Sequence, residues 1–489
     1  MIILGLDVGS TACKCVAFFA DGKELNSSYK EYSAIPGTPN LCPKMLRDAV
    51  FSVIHDCAGK LENKNAVAAI SVSSFGESIV ALDKSGNPID DILMYYVDTH
   101  DNRFSKFIDD VGFDRIIEIT RVKPDNMYSL TKIFPVIEKY GNVWKFLQIS
   151  DYIVWCLSGE TVTDYTFATR TLLFDLQRLK WSDELLGAAE ITNDMLPEVV
   201  RSGKIIGKLT SGAATELGLG SEVKIVICAQ DQVANAVGAG VYDEGDAVDG
   251  NGTVECLTPL FTGIPGAEFT KRNYVTVPYL SDGDYVTYAF NFTGGTLLKW
   301  YRCAFGAIFN GNSGESFYDY MNATCPTTPS DIIVLPQFMG FGGTPDMVRS
   351  AKGILYGLDL TSDAHTIYRA LLEGLSFEIR HNIETLNKFG IFPNRIFATG
   401  GGAKSDVFLQ IKADIWDCEV IPVLTDEVGA QGAAIMALAA LENEDITDVA
   451  KRFIRYGKPY SPNSEYAEIY NYKYKTYKTI RDFSLSMHG

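Results

Sequence analysis

Short apolar runs broken by glycine-rich polar turns set the pattern of the chain. Ile2–Leu6 is one such run, Asp7-Val8-Gly9-Ser10-Thr11 reads as the turn after it, and Cys13–Phe19 as a second strand. The N-terminus thus predicts a β-hairpin meander, closed by the turn Asp21-Gly22-Lys23. Ala68–Ser74 and Ile79–Asp83 predict further strands, and helical spacing dominates from about Asp125 to Gly159. Val223–Ala229 is almost continuously apolar, as a strand buried on both faces requires. Gln230-Asp231-Gln232 follows, then a small-residue helix over Val233–Gly240. Later, Arg395–Thr399 predicts a strand, Gly400-Gly401-Gly402-Ala403-Lys404-Ser405 a turn, and Asp406–Trp416 a helix. Gly432–Leu441, the longest apolar stretch, is about half a membrane span and reads as a buried Ala-rich helix. Gly263–Gly266 and Gln337–Pro345 read as surface loops.

The second half repeats the opening theme. Asp246–Val248 leads into Asp249-Gly250-Asn251-Gly252-Thr253, and Val254–Leu260 follows as a strand. Strand, acidic residue, Gly-rich polar turn and strand thus recur about half a chain apart. The repeat predicts two related α/β domains, residues 1–243 and 244–489, with a boundary near Tyr242–Asp246.

Length and composition fit this division. The 489 residues are 46% hydrophobic and 21% charged, ordinary for folded domains, which excludes a disordered or fibrous chain. The net charge of −18 argues against nucleic acid or an anionic membrane as partner, since both require a basic footprint. An anionic ligand would therefore need cations or backbone N–H groups placed locally. The opening Met-Ile-Ile-Leu-Gly-Leu-Asp has no basic n-region, so no secretory signal and a cytoplasmic location are expected. Ten scattered cysteines form no CxxC pair; Cys13 and Cys15 share one strand face, and free buried thiols are expected.

Three glycine-rich turns, at 9–11, 250–253 and 400–405, sit at strand ends. Any one alone is a plain tight turn. Together they suggest a phosphate cradle, because glycine lets N–H groups approach an anion and Ser or Thr adds a hydroxyl donor. The third turn also opens a helix, whose N-terminus favours anions. Neither a Walker loop nor a dinucleotide fingerprint fits Gly400–Ser405. Asp7, at the end of a strand, suits a hydrated Mg2+ or an Asx-type turn. Asp231 lies between a buried strand and a helix, where α/β proteins place ligands, and where Asp is also a common N-cap. Phosphoryl transfer to an alcohol needs a metal, N–H donors and one carboxylate to accept the hydroxyl proton, and these residues supply each part once.

On these residues the chain resembles the FGGY carbohydrate kinases, within the actin/Hsp70-like ATPase fold, over nearly its whole length. Asp7–Thr11 resembles the family's first phosphate motif, Gly252-Thr253 its second, and Gly400–Ser405 its adenosine motif. Gly353–Leu358 with Ala370–Gly374 resembles the C-terminal signature. The resemblance implies two duplicated ribonuclease H-like domains with a cleft between them, ATP and Mg2+ as cofactors, a sugar or polyol acceptor, and a homodimer. It implies Asp231 as catalytic base and Asp7 at the metal. It implies Ser10, Thr11, Lys14, Gly252, Thr253, Gly295, Lys299, Gly401, Gly402 and Ser405 at the nucleotide, and Glu77, Asp98, Tyr128, Asp231 and Gln232 at the acceptor.

Acceptor positions depart from the family. Phe75-Gly76-Glu77 stands where xylulokinases carry Gln-Met-His and glycerol kinases Arg-Glu. Tyr96-Val97-Asp98-Thr99-His100 keeps the Asp of the usual motif and has His for its Arg. Met127–Lys132 resembles the first family signature, with Pro135 in place of its Trp. The expected reaction is phosphorylation of a pentulose, with gluconate, glycerol- or erythritol-type polyols and hexuloses as alternatives. A non-catalytic sensor would have lost Asp7 or Asp231, and both are present. A chaperone-type ATPase would need a peptide-binding β-domain after residue 489.

Overall fold

The computed structural model describes residues 1–99, 101–306 and 316–488. Its contacts divide the chain into two compact units. The first comprises Met1–Gly240, Val275–Tyr285 and Glu427–Ile454, and the second Val241–Tyr274, Val286–Asp426 and Arg455–Gly489. Two stretches from the second half of the sequence therefore pack into the first unit, which a single cut at 243/244 does not capture.

The first unit is built on a six-stranded sheet in the order Ile205–Lys208, Lys224–Gln230, Val67–Ser74, Ile2–Val8, Ala12–Phe19, Glu24–Glu31. The hairpin expected at the N-terminus is present: Ile2–Val8 pairs antiparallel with Ala12–Phe19, placing Asp7 opposite Lys14. On its other side Ile2–Val8 runs parallel to Val67–Ser74, which runs parallel to Lys224–Gln230. These central strands are mostly apolar because both faces are covered, with Ser71, Ser73 and Ser74 as buried polar exceptions. Leu4, Leu6, Ile70 and Val72 pack with Val50, Val53 and Ile54 of the helix Pro43–Gly59 and with Ile153 and Val154 of the helix Ile149–Ser158.

The Ala-rich helix Val428–Glu442 packs against the first strand, Val67–Ser74 and the helix Asp231–Ala239. Glycines set the distance. A Cβ on Gly5 would lie 2.0 Å from the Ala430 carbonyl oxygen, one on Gly432 2.0 Å from that of Ala234, and one on Gly238 2.0 Å from that of Val428. No side chain fits at such contacts, so backbone lies directly on backbone.

The second unit repeats the plan. Asp246–Asn251 pairs antiparallel with Glu255–Thr262 and runs parallel to Arg395–Gly400, which runs parallel to Glu419–Pro422. The helices Ala364–Asn387 and Ala467–His488 are joined by buried ion pairs. Glu373 accepts from Arg369 at 2.9 Å and pairs with Lys473, and Arg481 meets Glu378 at 3.2 Å. Gln337–Pro345 is not a surface loop: Gln337, Phe341 and Thr344 are buried, and Phe341–Gly342 pairs with Met347–Val348. Gly and Pro there mark irregular backbone, not exposure. Among the described residues no helix is long and apolar enough to cross a membrane.

Candidate active site

The acceptor residues expected from the sequence lie in the first unit. The strand Lys224–Gln230 ends where the helix Asp231–Ala239 begins, so Asp231 occupies the first helical turn. Its carboxylate accepts from the Gln232 N–H at 2.7 Å and from the Gln230 side-chain amide. Gln230 itself caps the helix, its side-chain oxygen taking the same N–H at 3.2 Å. Capping is thus shared, and the residue as a whole is half-buried. Burial pushes its carboxyl up to about 8, with Asp7 and Glu77 adding negative charge nearby and Arg170 opposing them.

Asp7 ends the first strand, half-buried. Its carboxyl is raised to about 6 by burial and then by Glu427, with Lys14 working the other way. Lys14 forms an ion pair with Glu427.

Glu77 follows Val67–Ser74 with a φ of 67°, a left-handed conformation rare for a residue with a side chain. Such backbone persists only where its surroundings fix it. Here the Glu77 N–H donates to Gln148 Oε1 at 2.9 Å, and Gln148 Nε2 donates to the Phe167 carbonyl at 2.6 Å. The Glu77 carboxylate is buried against the equally buried Arg170, whose guanidinium lies 5.1 Å from the centre of the Tyr128 ring.

Asp98 is exposed and accepts from Asn126 Nδ2 at 2.8 Å. Lys132, fully buried, donates to the Val97 carbonyl at 2.9 Å, to Thr131 Oγ1 at 3.0 Å and to the Asn126 carbonyl. Burial lowers its ammonium to about 8. Tyr128 is buried, which lifts its hydroxyl to about 12. Gln232 is half-buried beside Asp231, and His100 lies outside the described residues.

The nucleotide residues expected from the sequence fall in both units. Ser10 is half-buried and Thr11 exposed in the first hairpin turn, which the Tyr32 hydroxyl ties down by donating to the Gly9 carbonyl. In the second unit Gly252 and Thr253 are exposed in the matching turn. The Gly295 N–H donates to the Gly252 carbonyl at 2.8 Å, and a Cβ on Gly295 would lie 2.6 Å from that oxygen. Gly295 opens the helix Gly295–Phe305, which carries Lys299 exposed. Gly401 is exposed and Gly402 buried in a short turn. Ser405 is buried and caps Asp406–Trp416, accepting from the Phe408 N–H at 3.3 Å.

Comparison with known proteins gives this arrangement a family. Residues 2–238 match the N-terminal domain of the FGGY family of carbohydrate kinases, and residues 266–441 match its C-terminal domain. The chain belongs to the FGGY family of carbohydrate kinases. It is 28% identical to the glycerol kinase of Staphylococcus epidermidis, over 99% of each chain. It is 25% identical to the xylulose kinase of Bacillus subtilis, over 98% of this chain and 96% of that one. A crystal structure of gluconate kinase from Lactobacillus acidophilus superposes with a TM-score of 0.87 at 26% identity, covering 100% of this chain and 99% of that one. The fold is accordingly the two-domain actin/Hsp70-like ATPase fold, and the chain is a carbohydrate kinase with ATP as the family's phosphoryl donor.

Within this FGGY kinase, Asp7, Glu77 and Arg170 all act electrostatically on Asp231 in the first unit. Arg170 and Gln148 escaped the reading of the sequence, and Lys132 entered it only as the end of the Met127–Lys132 signature. Arg170 sits in a short turn after the helix Tyr165–Ala168, among Thr and Leu residues. A lone arginine in so apolar a setting was the one available signal, since a buried guanidinium requires a partner.

Among the described residues no group of three or more His, Cys, Asp or Glu could cage a metal. Mg2+ keeps most of its waters and takes one or two carboxylates plus substrate phosphates, so it does not require such a cage. Asp7 fits such a part: burial and the neighbouring Glu427 leave excess negative charge that a hydrated cation would relieve.

Proposed function

We propose that this kinase transfers the γ-phosphoryl group of ATP to a hydroxyl of a small neutral sugar or polyol, a pentulose first and a glycerol-type polyol second. The observation that carries the reading is Asp231, a carboxylate in the first turn of the helix that follows a buried strand, with Asp7, Glu77 and Arg170 acting on it. Asp231 would accept the hydroxyl proton as the oxygen attacks the γ-phosphorus and ADP departs. Its raised affinity for a proton suits a general base working near neutral pH. Glu77, Asp98, Tyr128 and Gln232 would hold the remaining hydroxyls.

The charges of the site support a neutral acceptor. Arg170 is already committed to Glu77 and the Tyr128 ring, and Lys132 to three oxygens. A substrate carboxylate would have to compete with Glu77 for Arg170 and would meet the negative charge of Asp7, Asp98 and Asp231. The relatives do not choose between acceptors, since xylulose, glycerol and gluconate kinases are similar to this chain to nearly the same degree, so the preference rests on the charges of the site. On the nucleotide side, Ser10, Thr11, Lys14, Gly252 and Thr253 would serve the phosphates, with Gly295, Lys299, Gly401, Gly402 and Ser405 toward the nucleoside. Mg2+ would neutralise phosphate charge, its water shell held by Asp7. A homodimer is the expected assembly.

The test is ADP release with ATP and a panel of ketopentoses, hexuloses, polyols and aldonates. Turnover on a ketopentose or short polyol, and none on aldonates, is expected. Turnover on gluconate alone would overturn the neutral-acceptor reading. ATP left unconsumed with every compound would favour the sensor.

A further inference from the structure

A buried charge cluster lies behind the second glycine turn. Lys412, on the helix Asp406–Trp416, pairs with Asp249 and, at 2.9 Å, with Glu255 Oε1. All three side chains are 1% exposed or less. Asp249 and Glu255 belong to the two strands of the hairpin, so the cluster ties a helix to both. Two carboxylates share one ammonium, and Asp249 Oδ1 and Glu255 Oε2 have no hydrogen-bond partner among the described residues. Stability alone does not call for such a cluster, since hydrophobic packing often does as well as a buried ion pair.

What it does hold is Asn251. Glu255 Oε1, fixed by Lys412, accepts from Asn251 Nδ2 at 2.9 Å. The Asn251 side chain lies where a Cβ on Gly402 would come within 2.9 Å of it, and the Asn251 carbonyl where one on Gly400 would come within 2.5 Å. Gly400 sits beside Asn251 in the parallel register. Asn251 is thus wedged between the turn that carries Gly252-Thr253 and the loop that carries Gly401 and Gly402.

We infer that Asn251 is a positioning residue for the nucleotide: the Lys412–Asp249–Glu255 cluster fixes its side chain, and that side chain sets the spacing of the Gly252–Thr253 turn and the Gly400–Gly402 loop. The inference rests on the assignment of these two segments to ATP in the function proposed above.

The test uses the full chain, with ATP binding measured by titration calorimetry and KM for ATP and for the acceptor by ADP release. Asn251→Asp sets a carboxylate against Glu255 and is expected to weaken ATP about tenfold, with KM for the acceptor at saturating ATP within about twofold. The double variant Asn251→Asp/Glu255→Gln exchanges donor and acceptor at constant charge and is expected to recover ATP affinity to within about threefold. A merely structural role would lower the melting temperature without separating the two KM values. If Asn251→Asp does not fold, Asn251→Ala is read in its place with the same expectation. ATP binding unchanged in the single variant, or a double variant no better than Asn251→Asp, overturns the inference and leaves the kinase reading intact. A parent chain that neither binds ATP nor releases ADP overturns both.

Discussion

Asp231 and Arg170, which acts on it electrostatically, make opposite demands on their surroundings. Asp231 must be reachable and chargeable, whereas Arg170 must be buried and permanently occupied. Asp231→Asn keeps the shape and its hydrogen bond to Gln232 but removes the proton acceptor. Turnover is expected to fall by a factor of about 10²–10⁴, with ATP affinity within a few-fold, measured by ADP release and calorimetry. Full turnover in that variant would remove Asp231 from its role. Arg170→Met leaves Glu77 charged, buried and unpaired, which is expected to cost about 3–5 kcal/mol in urea unfolding. Glu77→Gln/Arg170→Met removes both charges and is expected to regain most of that stability. Its KM for the acceptor should stay raised, because the Glu77 carboxylate is gone. If the double variant kept the parent KM, Glu77 would not touch the acceptor.

At the scale of elements, backbone contact holds the helix carrying Asp231. The helices Asp231–Ala239 and Val428–Glu442 meet through Gly238, Ala234, Gly432 and Val428. A methyl group on Gly432 would have to displace the Ala234 carbonyl, so Gly432→Ala is expected to cost about 3 kcal/mol and to lower turnover by shifting Asp231. Gly187→Ala, at an exposed position of the helix Asp183–Ala189 with nothing near the added methyl, should instead gain about 0.5–1 kcal/mol. Thermal unfolding of the two variants separates steric contact from helix propensity. The same contrast explains what the sequence disclosed. Strands such as Ile2–Val8 and Lys224–Gln230 were legible because an apolar run closed by Asp or Gly is a local signal. The helix Val428–Glu442 was legible as buried, since it is apolar all round, but periodicity carries no record of which sheet it covers. Asp7 and Asp231 stood out at strand ends. Arg170, Gln148 and Lys132 did not, because each acts through a partner distant in sequence: Arg170 with Glu77, Gln148 with the Glu77 N–H, Lys132 with the Val97 carbonyl.

For the whole molecule, several buried carboxyls hold protons more tightly than a free side chain does. Burial raises Asp7 and Asp164 to about 6, Asp249 to about 7, and Asp151 and Asp231 to about 8. A raised folded-state value means that the folded chain binds more protons than the unfolded one between the two values. Stability from such a group is full below about 4 and is lost as pH rises toward the folded value. Some of these groups belong to the candidate site or the Lys412 cluster, where ligands and ion pairs also change with pH. Asp151 isolates the effect. It is buried at the start of the helix Ile149–Ser158, where its carboxyl accepts from the Gln148 N–H at 3.1 Å. Asp151→Asn keeps an oxygen for that N–H and cannot ionise. Urea unfolding of the parent chain is therefore expected to lose stability between pH 5 and 8 more steeply than the variant, by about 1.4 kcal/mol per pH unit. Equal slopes would mean that water reaches the Asp151 carboxyl in the folded state. The N-cap of this helix is Gln148, the residue that holds the Glu77 backbone, so the acceptor KM of the variant reports whether that first turn keeps its place.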